Sequence, residues 1–339
     1  MKKLTVGIIG AGRIGRLHSE NILKHFPDVL IKTIADPLMD EKWATGTGIE
    51  NVVSDHQEIL NDPDIEAVLI CSPSPTHAPL IIEAAKSGKH IFCEKPIALN
   101  PEVITAALKE VDKTKVKLQV GFNRRFDPGF AHVKRQVQRG EIGTPHIIKI
   151  TSRDPEPPNP AYIKESGGLF LDMTIHDFDM ARFLADSEVI EVYASGAVLV
   201  DPEIGKQGDI DTAIITLKFA SGALGVIDNS RKAVYGYDQR VEVFGSLGAV
   251  MGENRPTYHT RLMTQNGVIS PKPLFFFLER YQEAFIEEMR VFFATIREDR
   301  QSPVTGKDGL MPVVIGLAAN QSLVKNQPIK IPLTEDKNT

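Results

Sequence analysis

Residues 4–36 read LTVGIIGAGRIGRLHSENILKHFPDVLIKTIAD. An apolar run, Leu4–Gly10, leads into Gly10-Ala11-Gly12-Arg13-Ile14-Gly15, which fits the pattern G-x-G-x-x-G. An amphipathic stretch, Arg13–His25, follows, and then a second apolar run, Val29–Ala35, that ends at Asp36. Strand, glycine turn, helix and strand form the context in which this pattern binds a dinucleotide. Gly10 permits the tight turn, Gly12 lets the backbone approach a pyrophosphate at the helix N-terminus, and Gly15 allows close helix–strand packing. Arg13 and Ile14 complete the turn as candidate cofactor contacts. A carboxylate at Asp36 accepts hydrogen bonds from ribose hydroxyls and repels a 2′-phosphate, so the expected cofactor is NAD rather than NADP. Asp36 has a second reading, as a turn residue before Pro37. Arg13 stands where a guanidinium is able to accept a 2′-phosphate.

The alternation continues outward. Ala67–Cys71, His90–Cys93 and Leu118–Gly121 read as buried strands, with helices at Pro79–Ser87 and Pro101–Lys113. Strands alternating with helices predict a mostly parallel sheet covered on both faces, an α/β Rossmann domain over residues 1–122. The texture then changes. A helix at Pro128–Arg139, a strand at Pro145–Ser152, a proline-rich loop from Asp154 to Pro160 and a helix at Met173–Ala185 precede a succession of strands at Val189–Val198, Thr212–Phe219, Ala223–Ser230 and Gln239–Phe244. Ala220-Ser221-Gly222 carries hairpin chemistry. Thr216-Leu217-Lys218-Phe219 alternates, so one face meets polar surroundings. Residues 123–339 are therefore expected to form an α+β domain with a large, mainly antiparallel open-faced sheet, closed by helices at Phe277–Ile296 and Lys307–Leu323. The stripe Phe285, Met289, Phe292, Phe293, Ile296 belongs to a core or a subunit interface.

A length of 339 residues suits two domains with their own cores. The net charge of −5 and the lack of a long basic run argue against nucleic acid as a partner. Two cysteines, Cys71 and Cys93, are too few for a disulfide framework and suggest a reducing compartment. The apolar run after Met1-Lys2-Lys3 breaks at Gly10 without a small-residue cleavage site, and no run reaches membrane-spanning length. The expectation is a soluble cytoplasmic protein with no membrane partner.

Two further segments lie at strand ends, where ligands gather in an open α/β sheet. Cys71-Ser72-Pro73-Ser74-Pro75-Thr76-His77 follows one strand and Cys93-Glu94-Lys95-Pro96 the next. Ser72 and Pro73 are candidate cofactor contacts. Thr76 either caps the next helix or meets the cofactor, and His77 lies near the nicotinamide or on the surface. Lys95 reads either as a hydrogen-bond donor to a substrate hydroxyl, with Glu94 moderating its charge, or as half of a solvated Glu94–Lys95 pair.

The glycine turn, Glu94-Lys95-Pro96 and Asp172-x-x-x-His176 together resemble the Gfo/Idh/MocA oxidoreductases over nearly the whole chain, and within them the inositol 2-dehydrogenases. Supporting segments are Gly121–Asp127, Gly168–Asp179 and Tyr235–Asp238. The resemblance implies NAD-dependent oxidation of a ring hydroxyl of myo- or scyllo-inositol to the ketone, with Lys95, Asp172 and His176 converging on the reacting hydroxyl. Asp179 would bind a distal hydroxyl, and Arg125, Asp154 and Tyr235 are further substrate candidates. The resemblance also implies a homotetramer. Residue by residue, simpler readings stand beside these: Asp172 as a helix cap, His176 as a core histidine and Asp179 as a solvated helix residue. Either His176, poised near neutral pH, or Lys95 takes the proton. His176, Asp177 and Asp179 are too close on one helix to surround an ion, so no metal is expected. An aldose dehydrogenase and a non-catalytic NAD-binding regulator are the alternative functions.

Overall fold

The computed structural model describes residues 3–159, 162–163 and 166–332. Met1, Lys2 and Pro160, all named above, lie outside the described residues. In chain order the elements are β1 (Leu4–Ile9), α1 (Arg13–His25), β2 (Val29–Ala35), α2 (Glu41–Thr47), β3 (Asn51–Val53), α3 (Gln57–Leu60), β4 (Ala67–Ile70), α4 (His77–Lys86), β5 (His90–Glu94), α5 (Pro101–Asp112) and β6 (Leu118–Gly121). Then come α6 (Pro128–Gln138), β7 (Pro145–Arg153), α7 (Gly168–Asp172), α8 (Thr174–Ala185), β8 (Val189–Ala197), α9 (Pro202–Lys206), β9 (Thr212–Phe219), β10 (Leu224–Ser230), β11 (Asp238–Gly245) and β12 (Ala249–Gly252). The chain ends with β13 (Leu262–Thr264), β14 (Gly267–Ile269), α10 (Phe277–Arg280), α11 (Gln282–Arg297), α12 (Gly306–Lys325) and β15 (Ile329–Lys330).

Two compact units result: Met1–Phe126 with Glu283–Val313, and Asp127–Gln282 with Val314–Thr339. The sequence suggested one boundary at residue 122, with everything later in the second domain. Segment 283–313 departs from that because its apolar stripe is core to the first unit. Met289, Phe292 and Phe293 join Leu4, Val6, Ile8, Ile31 and Phe92 in one buried cluster, which also decides the stripe in favour of core over subunit interface. The expected helix 277–296 is two helices, α10 and α11, broken at the buried Tyr281.

In the first unit six parallel strands run in the order β3-β2-β1-β4-β5-β6. Every residue of β1 and β4 is buried, as expected for strands covered on both faces. The order reverses between β1 and β4, which creates a crevice at the strands' C-terminal edge. Helix starts follow local chemistry. Asp40 accepts from the amides of Lys42 and Trp43, and Asn100 accepts from Glu102 and Val103 ahead of α5, with Pro101 inside its first turn.

In the second unit seven strands run in the order β12-β11-β7-β10-β9-β8-β15. Every neighbouring pair is antiparallel except β10 with β7. Along β9, Ala213, Ile215, Leu217 and Phe219 are buried and Ile214, Thr216 and Lys218 exposed, which is the alternation read from the sequence. Helix α8 packs on β7 and β10. On the open face Ile147 stands in register between Leu224 and Phe244, all three exposed. The two ends of segment 127–282 are joined by a buried ion pair. Arg280 Nη1 donates to Asp127 Oδ2, while Asp127 Oδ1 accepts from Gly129 and Phe130 at the start of α6.

Phe292→Ala is expected to destabilise the first unit by about 3–5 kcal/mol, the usual cost of emptying a buried aromatic site. Urea denaturation of the variant measures it, and a midpoint equal to wild type would show that the 283–313 segment is not core.

Candidate active site

The glycine turn is fixed by close backbone approaches. Gly10 has φ +101°, and a β-carbon on it would lie 2.5 Å from the Ser72 amide nitrogen. A β-carbon on Gly15 would lie 1.9 Å from Gly10 O. Only glycine fits at either position. Gly12 differs, since a β-carbon there meets nothing within 4 Å. That open space faces the start of α1, where no side chain caps the helix and the first turn holds no acidic residue. Uncapped amides, the positive end of a helix dipole and room for an oxyanion are what a diphosphate requires. Arg13 is exposed and Ile14 half-buried at this same helix start.

Asp36 has the turn role read from the sequence and a second one. Its Oδ1 accepts from Leu38 N at 2.8 Å, and its Oδ2 accepts from Ala11 N at 2.6 Å, tying the glycine turn to the end of β2. Each carboxylate oxygen retains a further lone-pair direction for a ribose hydroxyl. Arg16, which sequence reasoning missed, braces the turn from outside. Its Nε donates to Ala11 O at 2.9 Å, its Nη1 pairs with Asp40 at 3.1 Å, and the guanidinium lies 5.0 Å over Trp43. The dinucleotide fingerprint does not specify that position, so there was no signal to find it.

At the neighbouring strand ends, His77 joins two loops. Its Nδ1 lies 2.8 Å from Pro96 O and its Nε2 2.7 Å from Ser72 O. It is buried, which removes the surface alternative. Burial pushes its imidazole below the usual range, while the two carbonyls pull the other way. Thr76 does not cap α4 through its side chain. Its hydroxyl instead donates to Pro73 O at 2.8 Å and lies 2.6 Å from the Ser72 hydroxyl, stiffening the loop. Glu94 is not a solvated partner of Lys95: its Oε1 lies 2.9 Å from the buried His18 Nε2. Lys95 is half-buried directly after it. Arg125 donates to Pro303 O at 3.2 Å and to Asp308 Oδ1 at 2.8 Å within the first unit.

In the second unit Asp172 is the last residue of α7 and His176 lies in the first turn of α8, with Met173 between the helices. The helix-cap reading of Asp172 therefore gives way, because the cap position is Met173 and no side chain caps α8. Asp172 Oδ1 accepts from the Tyr162 hydroxyl at 3.0 Å, and Oδ2 faces Arg231 Nη1 at 3.4 Å. Arg231 is buried and also stands 3.7 Å from Asp209. Neither Tyr162 nor Arg231 is legible in the sequence, since Arg231 is distant along the chain and Tyr162 follows a proline-rich stretch without a readable period. His176 is half-buried on α8, and Asp179 is fully buried one turn on, so Asp179 is not a solvated helix residue. Beside it, the Asp177 carboxylate accepts from Asn229 at 2.9 Å.

Tyr235 and Asp154 lie at the far ends of β7, β10 and β11. The Tyr235 hydroxyl donates to Asp238 Oδ2 at 2.5 Å and accepts from Arg153 Nη1 at 3.1 Å. Burial disfavours the Asp238 carboxylate, but hydrogen bonds from Arg240, Tyr235 and Asn254 outweigh it and hold the group below the usual range. With Glu253 these residues line an open cleft of about 450 Å³. The Asp154 backbone binds Ser230 O and Ala233 N.

A parallel sheet in this order, with a glycine turn opening α1 and a carboxylate at the end of β2, is the architecture of a Rossmann dinucleotide-binding unit. Residues 4–122 match the oxidoreductase family with an NAD-binding Rossmann fold, and residues 130–251 match the GFO/IDH/MocA C-terminal domain. The chain is 53% identical to an uncharacterised oxidoreductase of Bacillus subtilis, covering 98% of each. It is 48% identical to a myo-inositol 2-dehydrogenase of Thermotoga maritima, covering 97% of this chain and 98% of that one. The crystal structure of scyllo-inositol dehydrogenase from Lactobacillus casei with bound NAD(H) and scyllo-inositol superposes with a TM-score of 0.91 at 31% identity, covering 97% of this chain and 99% of that one. The chain belongs to the Gfo/Idh/MocA oxidoreductases.

Replacing Asp36 by alanine removes the charge-assisted bond to Ala11 and the carboxylate expected to receive the ribose. The ratio of kcat/KM for NAD over NADP is expected to fall about tenfold or more, from a loss of roughly 1.5–3 kcal/mol. An unchanged ratio would remove Asp36 from cofactor choice. For His77 the depressed folded-state value means the unfolded chain binds the proton more readily. The contribution is present above the unfolded value of about 6.5 and is lost as pH falls below it. The melting-temperature gap between wild type and His77→Gln should therefore be larger at pH 8 than at pH 5.

Proposed function

We propose that this protein is an NAD-dependent dehydrogenase that oxidises one ring hydroxyl of an inositol, myo or scyllo, to the ketone. The observation that carries the reading is the 48% identity to a myo-inositol 2-dehydrogenase across both units rather than the cofactor unit alone. Bound NAD supplies the hydride acceptor at nicotinamide C4. Within the first unit, Gly10, Gly12, Arg13, Ile14 and Gly15 receive the diphosphate, Asp36 receives the ribose hydroxyls, and the 72–77 and 94–96 loops edge the nicotinamide. Lys95 Nζ donates a hydrogen bond to the oxygen as it becomes an alkoxide, which lowers the barrier by stabilising developing charge. From the second unit, His176 accepts the O–H proton on a ring nitrogen, as a base whose unperturbed value suits neutral pH. Asp172 orients it. Asp179, Asp154, Tyr235 and Arg125 are the candidate partners for the remaining hydroxyls.

The exposed row Ile147, Leu224 and Phe244 supports assembly of several copies through the open face of the sheet, as a homotetramer. Among the described residues no helix is long and apolar enough to cross a membrane, and a cytoplasmic enzyme is the matching proposal.

The test is a panel of inositol isomers and aldoses followed by NADH absorbance. Turnover on myo- or scyllo-inositol above every aldose is expected. Preference for an aldose would reassign the substrate, and no turnover on any polyol would favour a non-catalytic NAD binder. With the best substrate, His176→Ala should lower kcat by about 10²–10⁴-fold while NAD affinity stays within twofold, and near wild-type turnover would remove His176 as the base.

A further inference from the structure

Three ionisable side chains from distant parts of the first unit meet beneath the C-terminal edge of its sheet. His18 comes from α1, Glu94 from the end of β5 and Glu288 from α11. Their ligand atoms lie within 4.8 Å of one another. His18 Nε2 is 2.9 Å from Glu94 Oε1 and 3.9 Å from Glu288 Oε1. Glu288 is 0% exposed, and among the described residues neither of its carboxyl oxygens has a hydrogen-bond partner. His18 is equally buried, with the Phe92 and Phe285 rings edge-on at 5.2 and 5.8 Å.

We propose that His18, Glu94 and Glu288 form a buried triad that holds the Glu94–Lys95 strand end in working geometry, with Glu288 present as the neutral acid and His18 and Glu288 serving as positioning residues. The inference rests on the role given to Lys95 above.

Two ionised carboxylates and one imidazole in an apolar enclosure leave at least one buried negative charge uncompensated, which is more costly than protonating it. Glu94 is the partly exposed member and has a donor in His18. The proton therefore resides on Glu288, whose carboxyl is pushed well up by burial first and by the Glu94 charge second. A neutral acid supplies one O–H donor, and Glu288 Oε1 stands 3.9 Å from His18 Nε2. The groups beside the cluster bring no positive charge: the half-buried Cys71 after β4 and the buried Cys93 on β5 have thiols pushed up by desolvation, and Gln119 on β6 donates its amide to the Glu288 backbone O at 2.9 Å. Behind Glu94, Gly121 leaves room that a β-carbon would fill at 3.0 Å from Oε2. The helix that begins at the glycine turn is thus tied to the strand that ends at Glu94, one residue before Lys95. A divalent cation occupying the same three ligands is the competing arrangement.

The experiment compares Glu288→Gln, which keeps a neutral donor of the same shape, with Glu288→Leu, which keeps volume and loses the donor. Glu288→Leu should lower kcat tenfold or more with KM for NAD within twofold, and Glu288→Gln should restore most of that loss. If Glu288→Leu does not fold, His18→Leu carries the same comparison. A second measurement needs no substrate. Above the unfolded value of about 4.3, the wild-type folded state holds a proton that the unfolded chain releases, so its stability falls as pH rises while that of Glu288→Gln does not. The melting-temperature gap in favour of Glu288→Gln should open by about 2–4 °C for each pH unit above 5. Leu variants turning over like wild type, a flat gap, or a stoichiometric divalent metal in the purified protein would overturn the proposal. If no polyol is oxidised at all, the function proposed above fails, whereas the thermal series still judges the triad.

Discussion

The backbone of Gly10 lies so close to that of Cys71 and Ser72 that no side chain fits between them. Much of the first unit follows from that approach. It requires β1 and β4 to be hydrogen-bonded neighbours, which places the reversal of strand order beside the glycine turn. It also leaves the first amides of α1 directed into the space that Gly12 keeps open, with Asp36 closing the turn from the β2 side. A single methyl group at Gly10 or Gly15 would force apart the elements that create the anion cradle.

The second unit solves a different problem, that of holding acidic side chains in and beside its core. It does so by pairing. Asp172 faces Tyr162 and Arg231, Asp177 faces Asn229, and Asp238 faces Tyr235, Arg240 and Asn254. Buried acids in such networks hold one orientation because every alternative leaves an unmatched group. The Asp127–Arg280 pair applies the same logic to the fold itself, joining the segment's two ends behind α6.

Legibility from sequence followed the range of the interaction. The β1–α1–β2 unit, its glycines and Asp36 were readable because their causes are local: an apolar run, an amphipathic period and a turn that admits only glycine. The alternation in β9 was readable for the same reason. The short polar elements α2, β3 and α3, and the three-residue strands β13 and β14, carry too little pattern to show. The parallel pairing of β10 with β7, the Arg231–Asp172 contact and the His18–Glu94–Glu288 cluster join residues far apart in the chain, and nothing near any one member names the others. The phenylalanine stripe of α11 was recognised as apolar, but which core it fills is a long-range fact of the same kind.

That stripe has a bearing on how the chain is made. Strands β1 to β6 leave the ribosome well before residues 283–313, which complete their core. At about 5–20 residues per second the nascent Rossmann sheet waits roughly 10–40 s for Phe292 and Phe293. During that interval its apolar edge is open to chaperones and to other nascent chains. The core that supports the Gly10–Gly15 turn is therefore complete only when synthesis is nearly finished.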